Sequence, residues 1–221
     1  MKTAVIIGAT GLVGNHLVQL LLDDDRFFKI IVFARKPLQA QHHKLEVHII
    51  NFDKPESWMH LVQGDILFSA LGSTIKQAGS QDKQYQIDYT YQYTFAQAAA
   101  QNHIPTYVLV SAAGATPEAK MFYSRMKGEL ERDVKRLPFK SINIIRPGLL
   151  HGARKEARFG ENAAFKVLNA INAIGLLKQY RPIEGKTVAA ALRNAGLHAT
   201  PGVHNYTLAE VFTLAGQSSL T

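Results

Sequence analysis

Tyr123 and Lys127 stand four residues apart in the run Tyr123-Ser124-Arg125-Met126-Lys127. On a helix that spacing puts both side chains on one face. A free tyrosine has a pKa of about 10, too high for easy proton exchange at neutral pH. A fixed ammonium beside the phenol favours the phenolate and eases the transfer. The two residues therefore read as an acid/base unit for carbonyl reduction, with Tyr123 delivering a proton as hydride reaches the carbon. Lys127 is also placed to hold a nicotinamide ribose. Ser111, in Val110-Ser111-Ala112, either polarises the carbonyl oxygen or caps the loop that follows it. Asp88 either extends a water-linked proton path or is an ordinary polar helix residue.

Hydride chemistry needs a dinucleotide, and the first turn of the chain offers a seat for one. Gly8-Ala9-Thr10-Gly11-Leu12-Val13-Gly14 follows an apolar strand-like run and leads straight into a helical pattern. Gly8 suits a tight turn, Gly11 lets the backbone approach a pyrophosphate, and Gly14 permits close helix–strand packing. Thr10, Leu12 and Val13 lie between them, and the helix N-terminus presents free N–H groups and a positive dipole end. The spacing is G-x-x-G-x-x-G rather than G-x-G-x-x-G.

NAD sites place an acid about 20 residues further on, against the ribose 2′-hydroxyl. Here the second strand ends in Phe33-Ala34-Arg35-Lys36, with no acid. Arg35 and Lys36 suit a 2′-phosphate, so the sequence predicts NADP(H) over NAD(H). After the third strand, Phe52 is expected along an adenine face and Asp53 near its amino group, unless both are plain turn residues. After the fourth strand, Ala70, Leu71, Gly72 and Thr74 are expected where a ribose or pyrophosphate passes close.

The elements that must position these residues alternate in type. Strand-like runs at 3–7, 30–34, 45–50, 66–71, 107–110 and 141–145 are separated by helical patterns at 12–22, 55–62, 82–102 and 117–136. Alternation of this kind argues an α/β fold, a Rossmann-type doubly wound parallel sheet with helices on both faces and strand order 3-2-1-4-5-6. A single NAD(P)-binding unit over residues 1–221 is expected, with a core at 1–148. Residues 149–221 form a dependent, helical cap at the carboxyl edge, on the substrate side.

Bulk properties exclude more than they assign. The 221 residues carry 25 Lys+Arg against 17 Asp+Glu, a net +8, yet no block of like charge occurs. Scattered charge reads as a solvated surface and argues against nucleic acid. With no cysteine there is no disulfide, no thiolate site and no cysteine nucleophile, and no metal site is expected. No apolar run is long enough for a bilayer span, and no secretory signal opens the chain. A cytoplasmic protein is the expectation.

Taken together, Gly8 to Gly14, Arg35-Lys36, Leu71-Gly72-Ser73-Thr74 with Ala78-Gly79, Tyr123 with Lys127-Gly128-Glu129, and Arg146-Pro147-Gly148 with Arg154, Glu156, Arg158, Gly160 and Glu161 resemble the short-chain dehydrogenase/reductase superfamily. The closer resemblance is to an atypical or extended branch, the Tat-interactive oxidoreductase group. That resemblance implies a Rossmann sheet, NADPH as cofactor and Tyr123 with Lys127 as the catalytic pair. It also implies that the backbone at Pro147 and Gly148 meets the nicotinamide end. A small carbonyl or alcohol substrate follows. Two departures stand out: Ser111-Ala112 replaces a common Ser-Ser pair, and Asp88 stands where many reductases carry asparagine. Several atypical members bind cofactor for sensing, so an NADPH-binding sensor or regulatory scaffold is the alternative. Arg154, Glu156 and Arg158 grip an anionic substrate, close a lid or pair with one another. The helix at 162–174 lines the pocket or forms a homodimer seam.

Overall fold

The computed structural model describes residues 1–151 and 182–216. Arg154, Glu156, Arg158, Gly160, Glu161 and the 162–174 helix lie outside them. Seven parallel strands form one sheet: β1 Lys2–Ile7, β2 Phe27–Ala34, β3 Leu45–Ile49, β4 Ile66–Ser69, β5 Thr106–Val110, β6 Ser141–Arg146 and β9 Gly202–Thr207. Their order is β3-β2-β1-β4-β5-β6-β9, the expected doubly wound arrangement with one more strand at its edge. A two-stranded ribbon, β7 Leu150–His151 with β8 Ile183–Glu184, stands apart from the sheet.

Alternation along the central strands divides the core into two faces. Ala4 and Ile6 of β1 point to one face and Val5 and Ile7 to the other, all fully buried. On the first face lie α1 (Leu12–Leu22), α6 (Gly185–Leu197) and α7 (Ala209–Leu214), packed through Leu17, Leu21, Val188, Leu192 and Phe212. On the second lie α4 (Tyr91–Gln101) and α5 (Phe122–Val134), with Phe95, Ala99, Leu130 and Val134 inward and Trp58 stacked on Phe95 at 4.0 Å. No helix of the described residues is long and apolar enough to cross a membrane.

Three elements differ from the sequence expectation. The long 82–102 helix is α3 (Gln81–Tyr85), a π-helical turn (Gln86–Thr90) and α4 in unbroken succession. The helix expected from residue 117 begins only at Phe122, after a turn at Pro117–Glu118 and a bend at Lys120–Met121, and Arg125 holds the carbonyls of Ala119 and Lys120 at 3.1 and 3.2 Å. The C-terminal part is not simply a helical cap. β9 pairs with β6 from Ser141↔Gly202 to Arg146↔Thr207, and α6 lies on the sheet, where a Cβ at Gly196 would come within 2.8 Å of the Phe68 ring.

Candidate active site

The glycine turn is built as its spacing implies. Gly8 adopts φ +85°, and a Cβ there would meet the Ala70–Leu71 backbone at 2.4 Å. The Gly11 amide donates to the Gly8 carbonyl at 3.0 Å. Gly14 packs so tightly that its Cβ would stand 2.1 Å from the Gly8 oxygen, whereas at Gly11 the nearest atom is 3.3 Å away. Gly8 and Gly14 thus serve packing, and the constraint at Gly11 is milder but still tight. Gly11 caps α1 without any side-chain bond, so the first N–H groups of the helix open into the space in front of it. Gly14→Ala is expected to cost about 1–3 kcal/mol of stability, since backbone rather than a flexible side chain must give way. A thermal melt reads this as a loss of roughly 2–12 °C.

In front of the turn lies a cleft of ≈ 1010 Å³. Of the residues expected from sequence, Thr10, Gly11, Leu12, Val13, Ala70, Leu71, Gly72, Ser111, Tyr123 and Lys127 line it. Asn15, His16, Ser73, Lys76, Gln77, Val110 and Leu150 complete the wall. Asn15 and His16 follow from helical spacing, since His16 sits one turn beyond Leu12 on α1. Lys76 and Gln77 were hidden because α2 (Ile75–Ala78) is a single turn, capped by Thr74 Oγ1 accepting from the Gln77 amide at 3.1 Å. Thr74 is therefore a cap rather than part of the wall.

Three polar side chains of the cleft wall stand out. The Ser111 side chain is 4 % exposed, and its hydroxyl has no hydrogen-bond partner among the described residues. Lys127 is 2 % exposed, with its Nζ 6.0 Å from the centre of the Tyr123 ring. No carboxylate among the described residues pairs with it. A buried ammonium without a counter-charge and a buried hydroxyl without a partner are both costly, and both face the same cleft. Other tyrosines nearby are held differently. Burial and then Glu129 push Tyr85 up to about 12, and burial and then Asp53 do the same to Tyr91. Their hydroxyls donate to those carboxylates at 3.0 and 2.6 Å, whereas Tyr123 faces an ammonium.

Asp88 forms the floor behind Gly72. Its side chain is fully buried, and Oδ1 accepts from the Ser73 amide at 2.7 Å and the Ser73 hydroxyl at 2.9 Å. Gln84 donates to the Ser73 carbonyl at 3.0 Å, and Gln92 donates to the Asp88 carbonyl at 2.6 Å. The π-helical turn carries Asp88, a common setting for functional positions. The second sequence alternative is the better description: Asp88 anchors the loop that walls the cleft. A second anchor sits one turn beyond Lys127 on the same face of α5. Glu131, 2 % exposed, holds the Arg146 guanidinium through both oxygens, with Nε at 2.9 Å. Arg146 leads into Pro147 and Gly148, whose segment is tied back by the Ala113 amide donating to the Pro147 carbonyl at 3.0 Å. Neither Pro147 nor Gly148 lines the cleft.

The residues expected at the adenine end do not line this cleft. The Phe52 ring is 6 % exposed and packs among Trp58, Tyr91 and Phe95, so it is part of the core. Asp53 accepts from Tyr91 and from Gln86, the latter at 2.8 Å. Arg35 and Lys36 are exposed at the end of β2, outside the cleft wall. Arg35 forms no ion pair among the described residues, and its charge reaches the Tyr91 phenol.

Comparison with known proteins agrees with this geometry. The description NAD(P)H-binding matches residues 8–159. A protein of Coccidioides immitis, FMP52, mitochondrial, is 33 % identical, covering 98 % of this chain and 94 % of its own. Its Saccharomyces cerevisiae namesake is 39 % identical over 72 % of this chain and 71 % of its own. Among solved structures, the Bordetella bronchiseptica enzyme WbmH in complex with NAD+ superposes with a TM-score of 0.70 at 17 % identity, over 93 % of this chain and 75 % of that one. The Thermus thermophilus UDP-glucose 4-epimerase complex with NAD gives 0.67 at 16 %, over 98 % and 84 %. These two share the fold. The fungal names overturn the cytoplasmic expectation, because both relatives are named as mitochondrial. By the match over residues 8–159 and the identity to its fungal relatives, the chain belongs to the NAD(P)H-binding family, together with the FMP52 proteins.

Proposed function

We propose that the protein is an NADP(H)-dependent oxidoreductase acting on a small carbonyl or alcohol, of the kind that the resemblance to the Tat-interactive oxidoreductase group implies. The observation that carries this reading is that one cleft is lined by Tyr123, by Lys127 beside its ring, and by the Ser111 hydroxyl, the last two without an ion pair or hydrogen-bond partner among the described residues. The residues fit a dinucleotide: the N-terminus of α1, with no side-chain cap, suits a pyrophosphate, and Gly11, in the cleft wall without a Cβ, lets it approach the backbone. When bound, NADPH supplies the hydride that adds to the carbonyl carbon.

The chain's own residues handle the oxygen. Ser111 donates a hydrogen bond to it and holds it beside Tyr123. As the carbon is reduced, the Tyr123 O–H bond breaks and a new O–H bond forms on the substrate, giving an alcohol. Lys127 stabilises the phenolate left behind, which takes its proton back from solvent. Alcohol oxidation runs the same steps in reverse. A mitochondrial location, carried by the names of the fungal relatives, belongs to the same proposal.

The preference for NADP(H) rests on Arg35, an exposed guanidinium at the end of β2 with no ion pair among the described residues. A fluorescence titration with NADPH and NADH tests it. Wild-type protein binds NADPH the more tightly. Arg35→Ala weakens NADPH about 10- to 100-fold, as loss of a charge-assisted contact requires, and leaves NADH unchanged. Equal affinities for the two nucleotides overturn the preference, and binding of neither overturns the whole reading.

A further inference from the structure

The wall of the cleft is electrostatically one-sided. Its ionisable side chains are His16, Lys76, Tyr123 and Lys127, with no carboxylate among the described residues that line it. The nearby acids are already engaged: Asp88 with Ser73, and Glu184 with Lys186 at 2.8 Å. His16 has a carboxylate, Glu184, in its neighbourhood. Lys76 is different. It is exposed and makes no ion pair among the described residues.

Lys76 is also held out by a built device. α2 is a single turn, closed at one end by the Thr74 cap and at the other by Gly79 at φ +93°. That turn places Lys76 and Gln77 in the cleft wall, where Asn15 of α1 joins them. The proposed reaction uses none of these three side chains. It takes Tyr123, Lys127 and Ser111 for the chemistry and the N–H groups of α1 for the pyrophosphate.

We propose that Lys76, with Gln77 and Asn15, forms a substrate subsite for a carboxylate, so that the preferred substrate is a carbonyl compound bearing an anionic group at its far end. An ammonium with no ion pair among the described residues, in one wall with two neutral carboxamide side chains, matches a single negative charge. The inference rests on the oxidoreductase reading for the placement of the reacting carbonyl.

Binding in a complex that cannot turn over tests the subsite apart from the chemistry. NADP+-saturated protein is titrated calorimetrically with 4-carboxybenzaldehyde and with 4-methylbenzaldehyde, which differ in one charged group. The carboxylate is expected to bind at least about tenfold more tightly, because it gains a charge-assisted contact. Lys76→Gln, a surface change that leaves the fold intact, is expected to reduce that advantage to under about twofold. The Kd for NADPH stays within about twofold in that variant.

No advantage for the carboxylate, or no binding of either aldehyde, overturns the subsite while NADPH binding keeps the cofactor reading. A fall in NADPH affinity that tracks the lost advantage assigns Lys76 to a cofactor phosphate, and also overturns it. Failure of the wild-type protein to bind NADP+ or NADPH defeats the oxidoreductase reading itself, and the subsite with it.

Discussion

Tyr123→Phe lowers kcat for carbonyl reduction by about 10²- to 10⁴-fold, the usual worth of a positioned general acid, and leaves the NADPH Kd within about twofold. The substitution removes one oxygen from a partly buried ring. The ring's packing and its contact with the Lys127 ammonium at 6.0 Å from its centre are unchanged, so folding gives no reason for lost turnover. Lys127→Met separates the two roles assigned to this lysine. It is expected to weaken NADPH binding, through loss of the proposed ribose contact, and to lower kcat, through loss of the charge that stabilises the phenolate in the proposed step. Stopped-flow turnover with NADPH and an aldehyde panel reads both effects. Unchanged kcat in Tyr123→Phe eliminates the mechanism. Tight NADPH binding with no turnover of any carbonyl by the wild-type protein favours a cofactor-sensing role, for which Ala112 beside Ser111 is the sequence motive.

What could be read from the residues depended on how local the cause was. The glycine turn is a local problem of backbone clearance, and Gly8, Gly11 and Gly14 stand where their spacing placed them. Tyr123 and Lys127 were likewise fixed by one helix period. Phe52 is ambiguous in the sequence, because an aromatic ring after a strand serves an adenine or the core equally well, and its packing against Trp58 and Phe95 emerges only with the fold. β9 escaped because Gly202-Val203-His204-Asn205-Tyr206-Thr207 is an edge strand, half polar, and reads as a loop until β6 is there to pair with it. Lys76 and Gln77 were invisible for a related reason: a one-turn helix has no periodicity to detect. Asp88 was noticed as a departure from a common asparagine, but its work on the Ser73 loop depends on a π-helical turn that no pattern of residue types announces.

The same dependence on tertiary context governs Glu131, a residue that sequence alone presents as one more charge on a helix. Glu131→Ala destabilises the protein by about 3–5 kcal/mol, because it leaves the Arg146 guanidinium half-buried and without its counter-charge. At 221 residues that corresponds to a melting temperature lowered by roughly 6–20 °C. Arg146→Ala is milder, since Lys135 already lies 3.7 Å from Glu131 and can follow the carboxylate. The double variant loses less than the sum of the two, and the coupling energy from the cycle measures the pair itself. Activity should follow position as well as stability. Tyr123, Lys127 and Glu131 share one face of α5, so the Glu131–Arg146 contact sets where that face sits relative to the end of β6. Below their melting transitions, the single variants are therefore expected to lose kcat more than NADPH affinity, with Glu131→Gln keeping part of both because its amide retains one of the two contacts. Single variants that each cost under about 1 kcal/mol, with additive effects, would show that solvent screens the pair as it does at an exposed site, and that Gly128 alone, packed with its absent Cβ 2.1 Å from the Thr116 backbone, holds α5 in place.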